Sequence, residues 1–428
     1  MKKIKIGLLG FGTVGQGVWK ILNSNMDEII SKCGYEIEIK KILVKDINKK
    51  RCVDVPKEIL TTNSDDIFYD EEIKIIVELI GGAHPAKEYI IKAAECKKHI
   101  VTANKLVVAS FADEIFKAVN ENNVMIYYEA SVGGGIPIIK GINESLTANK
   151  IKEITGIVNG TTNYILTKMT DEGLEFEEAL KQAQNLGYAE ADPTSDVEGF
   201  DAVYKLAIMA SLSFNTSVDI NSIYREGIGR IKAVDIEYAK RFGYVIKLLA
   251  IAKEEDNLEL RVHPAMVEKN HPIANVGDSF NAIFIKGNAV GDLLLCGRGA
   301  GDLPTGSAVV SDIISIIRNN FDVPYNFNYE VNSSKMPIKQ SKEFISKYYI
   351  RLDVKDQAGV LGQIANIFGQ HNISILSVTQ DVFAEHKVNL VFVTHDAKYG
   401  NIVDSLEKIK TLNSVNGIEN VIRIYEFN

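Results

Sequence analysis

The chain is expected to be an α/β protein in three parts: a doubly wound parallel sheet of the Rossmann type, a second α+β domain, and a C-terminal ferredoxin-like βαββαβ domain. Three observations lead there. Apolar strands alternate with helix-periodic segments up to about residue 130; glycine turns and a new set of strands begin at Ser131; and after a polar stretch with prolines at 324 and 337 the order becomes strand, helix, strand, strand, helix, strand.

The first strand, KIKIGLLG from Lys3, runs into GFGTVGQG (Gly10 to Gly17) and then a helix carrying Val14, Val18, Ile21 and Leu22. In such a strand–turn–helix, Gly10 permits the tight turn, Gly12 lets the backbone approach a pyrophosphate, and Gly15 lets helix and strand pack closely. Free N–H groups at the helix start then face the phosphate charge. A second strand, EIEIKKILV, follows at the expected distance, and a dinucleotide is the ligand this predicts. Next come IKIIVELIGG (Ile73 to Gly82), a helix near Ala86 to Cys96, HIVTAN, a helix near Ala109 to Asn120, and VMIYYEA. Strands apolar on both faces imply a sheet covered by helices on both sides.

The second domain is placed at 131–304, with KIKEITGIVNGTTNYIL, a polar helix ending near Leu186, and strands at LELRVHPAMV, AIFIKGNAV and DLLLCGRGAG. Its sheet is expected to mediate assembly. The helix Thr305 to Asn319 returns the chain to the nucleotide domain, 1–130. Residues 320–346 read as a linker. The module at 347–428, with strand Tyr349 to Val354, helix Val360 to Gln370, strands Ile373 to Thr379 and Val388 to Thr394, a helix, and strand Val421 to Phe427, reads as autonomous.

Composition excludes several classes. The 428 residues carry a net charge of -8 without a basic run, which argues against nucleic acid. The opening MKKIKIGLLGFG is too short and glycine-broken for a signal peptide, and no run reaches membrane-spanning length. Cys33, Cys52, Cys96 and Cys296 form no CxxC pair, and the seven histidines form no HxxxH or HExxH set. A reduced, cytoplasmic protein without a transition metal is expected.

The most informative charges lie in GYAEADPTSDVEGFDAVYKLAIMASLSF (Gly187 to Phe214). Asp201 and Lys205, four apart, share a helix face. Spacing alone suits a surface ion pair. Yet they are the only charges from Phe200 to Phe214, and apolar side chains surround nearly the whole helix, which marks it as buried. Burial lowers a lysine pKa and a neighbouring carboxylate raises it, so Lys205 is the candidate acid/base. Glu190 suits a substrate ammonium group, or else is a loop carboxylate or a helix cap; Asp192, Asp196 and Glu198 crowd the same helix start and could simply cap it. Lys105, in TANKLVV, stands at a strand's carboxyl end, where open α/β sheets bind ligands, although loop lysines are commonly just solvated. GRGAGDLPTGSAVVSD brings a second glycine loop to a helix start with Thr305 and Ser307, a further anion or nicotinamide contact or a plain crossover. In EASVGGGIP, Glu129 precedes a turn of carbonyls, which suits either a hard monovalent cation or an ordinary turn.

Taken together, GFGTVG, ELIGG, TANKLVV, EASVGGGIP, NGTTNYIL, GYAEADPTSDVEGFDAVYKL and GRGAGDLPTGSAV, in this order over most of 1–318, resemble homoserine dehydrogenase. The resemblance implies NAD(P)-dependent interconversion of L-homoserine and L-aspartate 4-semialdehyde, on the way to threonine and methionine. It implies Lys205 as proton donor and acceptor, Lys105 near nicotinamide and substrate, and Glu190, Asp196 and Asp201 binding or orienting the amino acid. Cofactor would lie on Gly10, Phe11, Gly12, Thr13, Val14 and Gly15, with Lys45, Lys105, Gly187 and the Gly301 to Thr305 loop. Glu129 and the carbonyls of Val132, Gly134 and Ile136 would hold a sodium ion. The segment Lys347 to Ile375 resembles an ACT domain, with Ala358 where proline is common in the D-x-P-G loop; Asp356, Gly359 and Asn372 would take an amino-acid effector, L-threonine in the first instance. ACT domains pair through their sheets, so a homodimer or homotetramer is expected.

After the second strand, Asp46 suits a ribose hydroxyl, as in NAD(H) enzymes, whereas Lys45, Lys49, Lys50 and Arg51 suit a 2′-phosphate. NADP(H) is favoured. Two other readings stay open: another Rossmann oxidoreductase acting on an amino acid or aldehyde, and a non-catalytic nucleotide and amino-acid sensor. A sensor has no need of an acid/base lysine.

Overall fold

The computed structural model describes residues 2–322, 336–384 and 387–427, so the middle of the expected linker, 323–335, lies outside the described residues. The chain forms two compact units. One comprises Met1–Ile154, Tyr204–Asn221 and Phe280–Lys335, the other Thr155–Val203, Ser222–Ser279 and Met336–Asn428.

The first unit contains a six-stranded parallel sheet in the order β3-β2-β1-β4-β5-β6. Its strands are β1 (Lys3–Leu9), β2 (Glu36–Leu43), β3 (Leu60–Thr61), β4 (Ile73–Glu78), β5 (His99–Thr102) and β6 (Ile126–Tyr127). Leu9 stands level with Leu43 on one side and Glu78 on the other, so the carboxyl ends of the three central strands share one edge. The strand order reverses between β1 and β4, where a crevice opens and doubly wound sheets bind ligands. Ile6, Leu8, Ile75 and Val77 are buried and pack with Val309, Ile313 and Ile316 of the returning helix.

That helix runs from Asp302 to Arg318, three residues earlier than its Thr305 start in the sequence reading. It lies against the glycine-loop helix, Thr13–Ser24, because neither has a side chain at the crossing: a Cβ on Gly17 would come 2.0 Å from the Asp302 carbonyl oxygen, and one on Gly306 2.9 Å from the Gly17 carbonyl carbon. The helix expected near Ala109 to Asn120 is two helices, Lys105–Ser110 and Ala112–Glu121. The early start follows from Asn104, whose side-chain oxygen accepts from the Val107 amide and caps the first of them. The same unit holds an antiparallel hairpin, Phe280–Gly287 with Gly291–Arg298.

In the second unit, Tyr244–Glu254 and Leu258–Glu268 form a long antiparallel pair. The first of these strands has no counterpart in the sequence reading. Leu258–Glu268 continues in parallel onto Val415–Tyr425, followed by Ile345–Val354, Lys387–Thr394 and the edge strand Ile375–Ala384. The C-terminal βαββαβ module is therefore not packed as an autonomous body, because its last strand extends a strand of the preceding region. A buried carboxylate reinforces the join. Asp235 accepts from Arg351 Nε at 2.7 Å, Asn420 Nδ2 at 2.7 Å and Tyr349 Oη at 3.0 Å. Within the module, the helix Val360–Gln370 has the expected limits, while the strands expected at Ile373 to Thr379 and Val421 to Phe427 run Ile375–Ala384 and Val415–Tyr425. Among the described residues no helix is long and apolar enough to cross a membrane.

Candidate active site

The glycine loop has the form its spacing requires. Gly10 adopts φ +104°, and a Cβ there would sit 2.8 Å from the Leu79 carbonyl oxygen. Nothing lies within 4 Å of a Cβ built on Gly12, so the backbone at the start of helix Thr13–Ser24 faces open space, and no side chain caps that start. Uncapped amides at a helix N-terminus make an anion seat. Gly15 packs on Gly10, and Phe11 is buried edge-on to Trp19.

Beyond β2, Lys45 is exposed. Asp46 spends a carboxylate oxygen on the Asn48 amide at 2.8 Å. Arg51 folds back, donating to the Asp46 carbonyl at 2.7 Å and the Lys49 carbonyl at 2.8 Å, with its guanidinium 5.9 Å from the Phe11 ring centre. A cation thus stands beside the glycine loop. In the same unit Lys105 opens its helix just past the end of β5, next to the crevice. The loop Gly299–Gly301 belongs here too, with Gly301 at φ +119° immediately before helix Asp302–Arg318, where Thr305 is buried. Lys20 fixes that helix start by pairing with Asp302 at 2.7 Å.

The VGGG turn is seated on this second glycine loop. A Cβ on Gly134 would meet the Gly299 carbonyl carbon at 2.5 Å, and the Gly135 amide donates to the Arg298 carbonyl. Glu129 is buried, and its carboxylate accepts from the amides of Ile139 at 2.8 Å and Lys140 at 2.7 Å. Its own amide donates to Asp312, which pairs with Lys140 at 2.9 Å. Burial pushes Glu129 up to about 7 and Asp312 up to about 6. Each Glu129 oxygen thus accepts one main-chain amide and keeps a further lone pair, beside the turn that carries the carbonyls of Val132, Gly134 and Ile136.

In the second unit the segment before the apolar helix is organised by Asn159. Its Nδ2 donates to Asp196 at 2.7 Å and to Asp201 at 2.8 Å, while its Oδ1 accepts from the Thr162 amide and caps helix Gly160–Glu172. Asn159 therefore holds two acidic side chains side by side. Nothing in NGTTNYIL singles this residue out; an asparagine three residues ahead of a threonine is an N-cap pattern in any helix, and only the fold brings Asp196 and Asp201 to it. The other acids divide. Asp192 accepts from the Thr194 amide at 3.1 Å and hydroxyl at 2.6 Å, Glu198 pairs with Arg225 at 3.7 Å, and Glu190 and Gly187 are exposed on the loop between helices. The helix Phe200–Ser213, whose residues from Tyr204 on belong to the first unit, is buried as its composition demands, with Asp201 3% and Lys205 8% exposed.

Of the three effector positions, Asp356 and Gly359 lie at the start of helix Val360–Gln370 and Asn372 just past its end. Eleven residues of helix separate them by about 16 Å.

An open parallel sheet with an uncapped glycine-loop helix at its switch point, and a buried Asp–Lys helix elsewhere in the chain, define a nicotinamide-dinucleotide-dependent oxidoreductase. The profile described as homoserine dehydrogenase matches residues 137–314, that family's NAD-binding domain matches 10–129, and an ACT domain matches 348–412. A homoserine dehydrogenase of Synechocystis sp. is 44% identical over 434 residues, 98% of this chain and 99% of that one. One from Bacillus subtilis is 43% identical over 386 residues, 89% and 88% of the two chains. The solved homoserine dehydrogenase of Thiobacillus denitrificans superposes with a TM-score of 0.93 at 41% identity, covering 100% of this chain and 99% of that one. A hyperthermophilic archaeal homoserine dehydrogenase in complex with NADPH gives 0.63 at 27% identity, over 77% of this chain and 100% of that one. The chain belongs to the homoserine dehydrogenase family, NAD(P)-dependent oxidoreductases of amino-acid biosynthesis, and carries a C-terminal ACT domain.

Proposed function

We propose that the protein interconverts L-homoserine and L-aspartate 4-semialdehyde, with Lys205 as the acid/base. The observation that carries this is the buried pair Asp201 and Lys205 on one face of helix Phe200–Ser213, within a chain whose family is established. A bound nicotinamide supplies the hydride acceptor. As hydride leaves the alcohol carbon, the hydroxyl proton goes to the neutral Lys205 amine, and it returns by the same route when the aldehyde is reduced. Asp196 and Asp201, held by Asn159, orient the amino acid, with Glu190 completing the set from its loop; Lys105 lies on the nicotinamide side.

NADP(H) is the preferred cofactor in this reading. Asp46 is occupied with its own turn, and Arg51, Lys45 and the neighbouring lysines supply positive charge where a 2′-phosphate would lie. Sodium would be held by the carbonyls of the Glu129–Ile136 turn and would stiffen it. Four free thiols, Cys33, Cys52, Cys96 and Cys296, suit a cytoplasmic location.

The ACT domain takes an amino-acid effector, L-threonine first. A small ligand that touches both Gly359 and Asn372 must take one of them from a second copy, which supports a homodimer or homotetramer. The edge strand Ile375–Ala384, with Leu376 and Val378 exposed, is a suitable pairing surface. The test is direct: mix the protein with L-homoserine and NADP+ or NAD+ and follow nicotinamide absorbance. No reduction with either cofactor overturns the reading, and a strong preference for NAD+ overturns its cofactor part.

A further inference from the structure

The last residue of β4, Glu78, has no solvent exposure. Its Oε1 accepts from the Ile80 amide at 2.7 Å and its Oε2 from the Thr102 hydroxyl at 2.7 Å. The Gly81 amide and the Asn104 side chain also donate to it. The chain of bonds continues: Thr102 Oγ1 accepts from the Asn104 amide at 3.0 Å, Asn104 Nδ2 donates to the Gly82 carbonyl at 2.8 Å, and Asn104 Oδ1 accepts from Val107 at the start of the Lys105 helix.

The amides of Ile80 and Gly81 and the Asn104 amide group donate to Glu78, while the Thr102 hydroxyl can donate or accept; burial raises the affinity of the carboxylate for its proton. A carboxylate sunk among neutral donors is costly, and a neutral side chain would fill the space more cheaply. What only a carboxylate offers is several acceptor lone pairs on one rigid group. Here they gather the ends of two adjacent strands at the crevice edge.

We propose that Glu78 is a positioning residue for the nicotinamide side of the site. Through Thr102 and Asn104 it fixes the turn from which Lys105 projects, and through Ile80 and Gly81 it fixes the neighbouring turn after β4. This rests on the placing of Lys105 beside the nicotinamide. In Glu78→Gln one oxygen becomes an N–H donor, which either opposes the Ile80 and Gly81 amides or reverses the bond to Thr102, so the joint hold on the two turns is weakened. Displacement of about 1 Å at a reacting centre costs roughly 10²-fold in rate.

The experiment compares full-length Glu78→Gln, Thr102→Val, Thr102→Ser and Lys105→Ala for kcat, both KM values, the deuterium isotope effect with C4-deuterated homoserine, and Tm. Glu78→Gln and Thr102→Val should each lower kcat by about 10- to 100-fold and raise the isotope effect as hydride transfer becomes limiting, while Thr102→Ser, which keeps the hydroxyl, stays near the parent. Thr102→Val cuts only the branch to the Lys105 turn, which Glu78→Gln also weakens, so the loss in the double variant Glu78→Gln/Thr102→Val should fall short of the product of the two single losses. If Glu78→Gln and Thr102→Val lower Tm but leave kcat and the isotope effect unchanged, the positioning role is wrong. Should Glu78→Gln fail to fold, Thr102→Val, which leaves the carboxylate in place, decides alone. A silent Lys105→Ala overturns the placing of Lys105 instead; an impaired Lys105→Ala with a normal Glu78→Gln overturns the Glu78 proposal only.

Discussion

A lysine amine in an apolar helix is useful as a base only if it can part with its proton: the burial of Lys205 favours that, and the Asp201 carboxylate one turn earlier works against it, the opposition a group that both takes and returns a proton needs. Lys205→Ala is expected to lower kcat by about 10²- to 10⁴-fold while cofactor binding, followed by nicotinamide fluorescence, is retained. A loss below tenfold would remove Lys205 from the acid/base role. Asn159 makes a different prediction, because it serves two purposes at once. Asn159→Ala withdraws the donor shared by Asp196 and Asp201 and also uncaps the Thr162 amide, so it should raise KM for homoserine and cost about 1 kcal/mol of stability. Asn159→Ser, which can still cap, should recover the stability without recovering KM. Equal recovery of both would show that the residue matters only as a cap. Asp201 and Lys205 were legible in the sequence because every neighbour is apolar; Asn159 was not, because its importance lies in which distant acids reach it.

Glycine decides how the elements meet in the first unit. The helices Thr13–Ser24 and Asp302–Arg318 touch backbone to backbone at Gly17, so Gly17→Ala must push them apart at the base of the cofactor loop. A loss of about 1–3 kcal/mol is expected, seen as a lower Tm together with weaker cofactor binding. An unchanged Tm would mean that the crossing is looser than its geometry. The turn around Glu129 carries a pH signature. Burial raises Glu129 from an ordinary 4.5 to about 7 and Asp312 from 3.8 to about 6. Between the ordinary and the raised values the unfolded chain has already released the proton that the native chain still holds, so stability falls as pH rises through that window. Urea midpoints should be higher near pH 5 than near pH 7.5, and Asp312→Asn should flatten the slope. The βα alternation of this unit could be read directly, since apolar strands and glycine turns are local signals. The extra helix Lys105–Ser110 and the strand Tyr244–Glu254 could not: Asn104 sets the first through a cap at its start, and the second, whose apolar stretch Leu248–Ala252 is flanked by Lys247 and Lys253, takes a strand's identity from pairing with its neighbours, Leu258–Glu268 among them.

For the molecule as a whole, the join between the ACT domain and the rest of its unit changes how regulation should be tested. The sequence suggested a module that could be cut away; instead Asp235 is neutralised by Arg351 and by donors from Tyr349 and Asn420, all beyond residue 340. Truncation would leave a buried, unpaired carboxylate and an open strand edge, which costs about 3–5 kcal/mol for the ion pair alone. A chain ending near residue 322 is expected to unfold or aggregate, so point variants are the better probe. A continuous path inside the unit suggests where to place them. Arg423, on the last ACT strand, pairs with Glu226 at 3.0 Å; the segment behind Glu226 donates from the Ile228 amide to the Val197 carbonyl at 2.9 Å, two residues before the turn at Gly199 that leads into the Asp201 helix. The same segment and the ACT helix Tyr399–Ile409 line a cavity of about 750 Å³ that includes Glu198, Arg225 and Arg230. An effector can act only by binding two arrangements unequally, and a difference in this segment would reach the turn before the Asp201 helix. Gly359→Asp, at φ +89° in the first ACT loop, is expected to abolish threonine binding measured by calorimetry, and with it inhibition relative to the variant's own uninhibited rate. Glu226→Gln should do something else: threonine still binds, but inhibits less, because the link between Arg423 and the Val197 turn is weakened. If Glu226→Gln binds threonine and is inhibited as fully as the parent, the signal does not travel through this segment.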